Sequence, residues 1–323
     1  MTFLANVGYR FKLPASVDVD GSIVLGSTMA KPTLDRRHKR LTTGYPHLEH
    51  RLFDPQLYMA GLDATESPTH CAKLASYPWF GVSGLDEYDS GIQTQASWQD
   101  DVEKKIVSIW PRHPPTDSGH IRDALQQCIE FQHRFGCRAV ILPSPLTTNS
   151  GTNYSAELFW LDSALEYLHH RKTENAFNLP VFATVALTDV CVRYDDPNAN
   201  LLLDLILDAI SAREVYGVYI VLEQSSEGDG ERQCGNTRAL ASILRLVHGF
   251  SQDCGLRVVV NFMGAFGLVC EAAGAESWAS GWYKSLYRFR LADRLGGGLA
   301  YPSYWSYPAT IDVNLESDFE DCS

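Results

Sequence analysis

The chain has 323 residues, 45% of them hydrophobic and 20% charged, with 24 glycines and 15 prolines. That composition fits a packed globular protein and excludes a disordered chain, a collagen and a coiled coil. With 27 Lys and Arg against 39 Asp and Glu the formal net charge is -12, so the molecule as a whole repels phosphate backbones and anionic membrane.

The first 117 residues carry mixed signals. The opening run MTFLANVGYRFKLP has no basic region followed by a long apolar core, so no signal peptide is expected. Phe11 to Ser27 contains Asp20-Gly21 between β-prone runs, which predicts a hairpin with Ser22 to Leu25 as a strand. A helix-like stretch from Pro55 to Leu62 precedes a strand-like one from Tyr77 to Ser83. Lys105 to Trp110 reads as a strand, yet Val102, Ile106 and Ile109 also fit one helical face, and periodicity alone does not decide.

From residue 118 the pattern becomes regular. Asp117 or Ser118 caps a helix that carries Ile121, Leu125, Cys128, Ile129 and Phe135 at 3–4 spacing and stops at Gly136. Strand Ala139 to Leu142 follows, then helix Leu158 to Tyr167, strand Val181 to Leu187, helix Leu201 to Ala212 and strand Val218 to Leu222. Helix Arg238 to Phe250, strand Val258 to Phe262, the short helix Leu268 to Ala273 and strand Ser277 to Ser280 complete the series. After Phe289 come three glycines and a segment rich in aromatics (Tyr301, Tyr304, Trp305, Tyr307), read as an arm lying on the barrel or on a partner, before an acidic end.

Alternating helices and short apolar strands imply a parallel sheet with right-handed crossovers. No G-x-G-x-x-G turn follows an early strand, which argues against a dinucleotide-binding open sheet. Units of about forty residues over more than half the chain favour a TIM-like (β/α)8 barrel. The expected layout is an N-terminal hairpin and loop extension over 1–50, the α/β barrel over 51–290 and a C-terminal arm over 291–323. The most apolar stretch, Val258 to Cys270, is broken by Asn261 and is shorter than the ~20 residues of a membrane helix, so no membrane association is expected. Eight cysteines lie scattered with no C-x-x-C pair, as in a cytoplasmic protein with reduced thiols.

Barrel sites lie where strands end at their carboxyl ends. The polar residues there are Ser144, Thr188 with Asp189, Glu223 with Gln224, Asn261 and Ser280. Glu223 closes an apolar run, so its carboxyl would face a partly dry mouth and serve as acid or base, with Asp189 as a second candidate. The structural alternatives are an ion-paired strand-end carboxylate and a turn cap.

The run VVVNFMGAFGLVCEAAGAESWASG, from Val258 to Gly281, resembles the last βαβ unit of phosphate-binding (β/α)8 barrels, in which glycine turns present backbone N–H groups to a phosphate. The resemblance is at the level of the fold and covers fewer than thirty residues. It implies an anion contacted by Gly264 and Gly267 after one strand and by Ser280 and Gly281 after the next. It departs from the pattern in the bulky Phe266 and Trp282. Lys284, Arg288, Arg290 and Arg294 follow at helical spacing, and Lys284 and Arg288 are the expected electrostatic partners of an anionic ligand. A solvated helix face is the plain alternative.

Lys31 to Arg40 is the one basic run suited to nucleic acid, but Asp35 interrupts it and no aromatics are interleaved, so nucleic acid is not expected as a partner. His47-Leu48-Glu49-His50 has the wrong spacing for a zinc hydrolase. Asp18 to Gly21 lacks the rest of a calcium loop. No metal site is expected and no cofactor is named by the sequence. The favoured reading is a barrel enzyme acting on a phosphate-bearing or anionic small molecule, with Glu223, Asp189 and Lys284 in catalytic roles and Asn261, Gly264, Gly267, Ser280, Gly281 and Arg288 binding substrate. Two alternatives stand beside it. One is a non-catalytic barrel serving as an assembly subunit through its aromatic arm. The other is base exchange of the kind run by tRNA-guanine transglycosylase barrels, whose zinc-binding cysteine group has no counterpart here.

Overall fold

In the computed structural model the described residues are 2–7, 19–35, 50–82, 101, 104–151, 153–173, 177–193, 195–224, 236–281, 286, 288–291, 303–306 and 311–314. Eight parallel strands form one sheet: β1 (Thr2–Val7), β2 (Gly21–Leu25), β3 (Arg51–Asp54), β4 (Val140–Ile141), β5 (Val181–Thr188), β6 (Gly217–Glu223), β7 (Arg257–Asn261) and β8 (Ser277–Ser280). The order around the sheet is β3-β2-β1-β8-β7-β6-β5-β4. It is a nearly closed TIM-like barrel. A short antiparallel pair, β9 (Ser303–Ser306) and β10 (Ile311–Asn314), lies in the C-terminal arm region.

The seam between β3 and β4 is the thin part of the wall. The Arg138 amide donates to the Arg51 carbonyl at 3.0 Å, but β4 has only two residues, and a side chain serves its inner edge. Gln132 donates through Nε2 to the Ile141 carbonyl (2.8 Å) and accepts from the Ile141 amide at Oε1 (2.9 Å). Fully buried, it gives Ile141 the partners a neighbouring strand would have supplied.

The helices described over their whole length are α1 (Pro68–Ala75), α2 (Ser118–Phe135), α3 (Ser155–Thr173), α4 (Pro197–Ser211), α5 (Thr237–His248) and α6 (Gly267–Ala272). Helix α2 starts where the Asp117 carboxylate accepts from the Gly119 and His120 amides and ends at Gly136, in the left-handed region at φ 75°. Strands β4 to β8 and the helices between them follow the sequence expectation, and their strands are adjacent and parallel.

The N-terminal half differs from expectation. Strand β2 pairs in parallel with β1, Leu4 opposite Gly21 through Val7 opposite Val24, and with β3 on its other edge, so Ser22 to Leu25 is a barrel strand and not a hairpin arm; Phe11 to Asp18 lie outside the described residues. Strands β1 and β3, not expected from the sequence, complete the eight. Within the strand-like stretch from Tyr77 to Ser83 lies a short 3-10 turn, Pro78–Phe80, and within Pro55 to Leu62 another, Leu57–Met59. Residues 104–109 are helical. The aromatics that made Tyr77 to Phe80 look like a strand instead build a cluster of Phe53, Tyr77, Trp79 and Phe131 under the wall. No helix among the described residues is long and apolar enough to cross a membrane.

Candidate functional site

Residues on one rung of a parallel ladder share a face. Leu4, Ala279, Asn261, Val221 and Ala186 stand on one such rung. Two residues from Val221, Tyr219 reaches Asp54 of β3 with its hydroxyl at 2.6 Å. Tyr219 and Asp54 lie on strands far apart in the sheet, so this face is the interior. The last inward positions are therefore Asn6 on β1, Asp54 on β3, Thr188 on β5 and Glu223 on β6, with Asn261 ending β7. All five are buried.

Asp54, Asn261 and Asn6 form a continuous network with Tyr58 and Tyr219. Asp54 accepts from the Tyr58 hydroxyl (2.5 Å), the Tyr219 hydroxyl (2.6 Å) and the Gln56 amide (3.0 Å). Asn261 donates to the Tyr219 oxygen at 2.5 Å, and Asn6 donates to Asn261 Oδ1 at 2.7 Å. Gln56, held at φ 54°, accepts from the Ser27 amide at 2.7 Å. Burial, with the Asp54 carboxylate close by, pushes the Tyr219 phenol well above its usual value. It is a neutral donor at any ordinary pH.

Four polar atoms at this end of the barrel are buried with no hydrogen-bond partner among the described residues: Asn6 Oδ1, Ser27 Oγ, Gln56 Nε2 and Thr188 Oγ1. Buried polar atoms are nearly always paired, so such a group at one end of a barrel marks capacity for a ligand or ordered water.

Over the network lies the segment that follows β8, described at Leu286 and from Arg288 to Leu291. The Leu286 carbonyl accepts from Asn6 Nδ2 at 2.6 Å, the Phe289 carbonyl accepts from the Gln224 amide at 2.9 Å, and the Leu291 amide donates to Glu223 Oε1 at 3.1 Å. Phe289 packs its ring against Tyr58 and Phe262, with centroids at 4.9 and 5.8 Å. Arg288 is 1% exposed and Phe289 is fully buried.

Among the sequence candidates, the backbones of Glu223, Asp189, Asn261 and Arg288 come near this mouth: the Asp189 amide donates to the Glu223 carbonyl at 2.8 Å, and Arg288 forms an isolated antiparallel backbone bridge with Met263, two residues past Asn261. Ser280 ends β8 and is buried. Gly264 sits in a 3-10 turn at φ 46°. A Cβ on Gly267 would lie 2.4 Å from the Trp278 ring, and one on Gly281 2.4 Å from Leu286 Cβ. Both therefore have a packing reason to be glycine. Lys284, Trp282 and Arg294 lie outside the described residues, as does the basic run beyond Asp35. Sequence reading missed Asn6, Asp54, Gln56, Tyr58 and Tyr219. The acid of β3 was signalled only by the four-residue run Arg51 to Asp54, too short to be read as a strand.

No known protein family matches the chain, and no curated protein is similar to it at a significant level. The class of the protein is thus defined by the fold: a TIM-like α/β barrel with a polar network at the carboxyl ends of its strands.

Proposed function

We propose that the carboxyl-end mouth of the barrel is a catalytic site that carries out acid/base chemistry on a small polar molecule, with Glu223 as the acid or base and Asp189 beside it. One observation carries this reading: the last inward positions of β1, β3, β5 and β6 are all polar and buried, and four buried polar atoms at that end have no partner among the described residues. Polar groups kept dry at such a place cost stability, and sites are where proteins retain them. Substrate class follows from charge. Among the described residues Asp54, Asp189 and Glu223 are buried acidic side chains at this end and Arg288 is a buried basic one, a balance that suits a neutral or weakly charged ligand better than a phosphate. Since Gly267 and Gly281 are filled from behind by Trp278 and Leu286, a phosphate cradle has less support than the turns alone suggested.

A thermal-shift panel of nucleotides, sugar phosphates, flavin and neutral heterocycles tests binding, because a ligand at 100 times its Kd adds about 2.7 kcal/mol. With a turnover assay on any hit, Glu223→Gln should lower the rate by ~10²-fold or more while binding persists. If nothing in the panel shifts the melting curve, the reading of a non-catalytic assembly subunit gains. A specific observation favours that second reading: the mouth is filled by Leu286 and Phe289 of the same chain, while Leu201, Leu268 and Val269 are about half exposed on the outer helices.

A further inference from the structure

The segment over the mouth is chemically a peptide, and the way it is held shows what the rim can recognise. The Asn6 amide group holds the Leu286 carbonyl, the backbone N–H of Gln224 holds the Phe289 carbonyl, and the Glu223 carboxylate holds the Leu291 N–H. Between these contacts, the ring of Phe289 lies against Tyr58 and Phe262. The rim thus offers two donors aimed at carbonyl oxygens, one acceptor aimed at an N–H, and an aromatic slot.

The fit is incomplete. Asn6 donates to both Asn261 and Leu286, but its Oδ1 is buried without a partner among the described residues. Thr188, on the same rung as Glu223, has its hydroxyl in the same state. A carbonyl oxygen and a hydroxyl left unpaired beside groups that already bind amides are unused capacity for a further donor and acceptor.

We propose that the mouth binds a planar aromatic ligand carrying an adjacent amide C=O and N–H, which takes the place of Leu286 and the Arg288–Leu291 segment. The ring would occupy the slot of Phe289. The amide would engage Glu223 and the Gln224 N–H, and a further polar group would reach Thr188 or Asn6 Oδ1. This inference rests on reading the mouth as a ligand site, and it names the ligand class for that site.

The test has two arms on the full-length protein. Calorimetric titration uses benzamide and uracil as ring amides, acetamide as an amide without a ring, phenol as a ring without an amide, and inorganic phosphate. The ring amides should bind at least ~10-fold more tightly than acetamide or phenol, and phosphate should not bind. Thr188→Val, which touches none of the contacts holding the segment, should raise the melting temperature of the free protein and weaken ring-amide binding several-fold. Both effects follow from removing a hydroxyl that has no hydrogen-bond partner among the described residues and that the ligand would satisfy.

The second arm is native-state hydrogen exchange at the Gln224 and Leu291 amides. Exchange through an opening that leaves the Val221 and Val260 amides protected is expected, and ring amides should alter it. If the Gln224 and Leu291 amides exchange only with global unfolding, the segment cannot yield its place and the proposal is overturned. Binding of acetamide or phenol as tight as that of the ring amides overturns the ligand class. Binding of phosphate in place of ring amides also overturns this inference, yet leaves a ligand site at the mouth standing. Silence of every probe here and in the wider panel removes the site reading itself.

Discussion

Gln132 shows how one residue settles a local problem of the wall. An edge of the two-residue strand β4 leaves the amide and carbonyl of Ile141 facing the seam, and the carboxamide of Gln132 meets both. Gln132→Leu would keep much of the volume and leave two buried backbone groups unpaired, at ~1–3 kcal/mol each. A loss of about 2–6 kcal/mol in urea unfolding is expected. A loss below about 1 kcal/mol would mean that water or a shifted β3 takes over. The cysteines make a second case at this scale. Cys71 and Cys137 are buried, and burial pushes each thiol up to about 12, while Cys128 is pushed up further still. Cys254 is part exposed. A thiol reagent should therefore modify Cys254 in the native state well before Cys71, Cys128 or Cys137, as peptide mapping by mass spectrometry would show.

At the scale of elements, helix α2 and strand β3 are locked together. The guanidinium of Arg51 donates to the Phe135 carbonyl at the end of α2 and lies over the Phe135 ring, 4.8 Å from its centroid. A cation at a helix C-terminus also meets the negative end of the helix dipole. Gly136 makes the approach feasible: a Cβ there would come within 2.5 Å of Arg51 Nη2, and its φ is 75°. Gly136→Ala should cost about 1 kcal/mol or more, read as a lower urea midpoint with an unchanged slope.

This junction also shows what the sequence could and could not reveal. Asp117, the 3–4 spacing of Ile121 to Phe135 and Gly136 are local signals, and they delimit α2 correctly. Strands β5 to β7 are buried on both faces and so read as unbroken apolar runs, which made the candidates at their ends, Asp189, Glu223 and Asn261, visible. Strand β3 is four residues bounded by an arginine and an aspartate, and β1 holds Asn6 among its apolar residues. Asp54 and Asn6 belong to the interior network, and that role exists only once Tyr219 spans the barrel. Asp20-Gly21 looked like a hairpin turn because pairing direction is set by where the chain returns, which no local pattern records.

For the whole molecule, the interior tyrosines couple the fold to alkaline pH. Desolvation raises the phenols of Tyr77, Tyr154 and Tyr219 above their ordinary value near 10, with the neighbouring acids Asp35, Glu157 and Asp54 respectively adding to the rise. In the unfolded chain these phenols ionise near pH ~10. Above that pH the unfolded state binds fewer protons than the folded state, so stability falls as pH rises. Below it, both states hold the proton and these groups add no slope. Each tyrosine contributes up to ~1.4 kcal/mol per pH unit between its unfolded and folded values, so the three together predict a steep alkaline loss. Urea midpoints measured from pH 9 to 12 should drop increasingly above ~10, and phenolate absorbance from these three should appear only with the unfolding transition. In Tyr219→Phe the slope should fall by about one tyrosine's share. That variant also leaves Asp54 one donor short and Asn261 Nδ2 without its acceptor, so it should start from lower stability at neutral pH by ~1–3 kcal/mol. An unchanged slope would mean that the Tyr219 phenol titrates in the folded barrel, and that the network at its mouth is open to water.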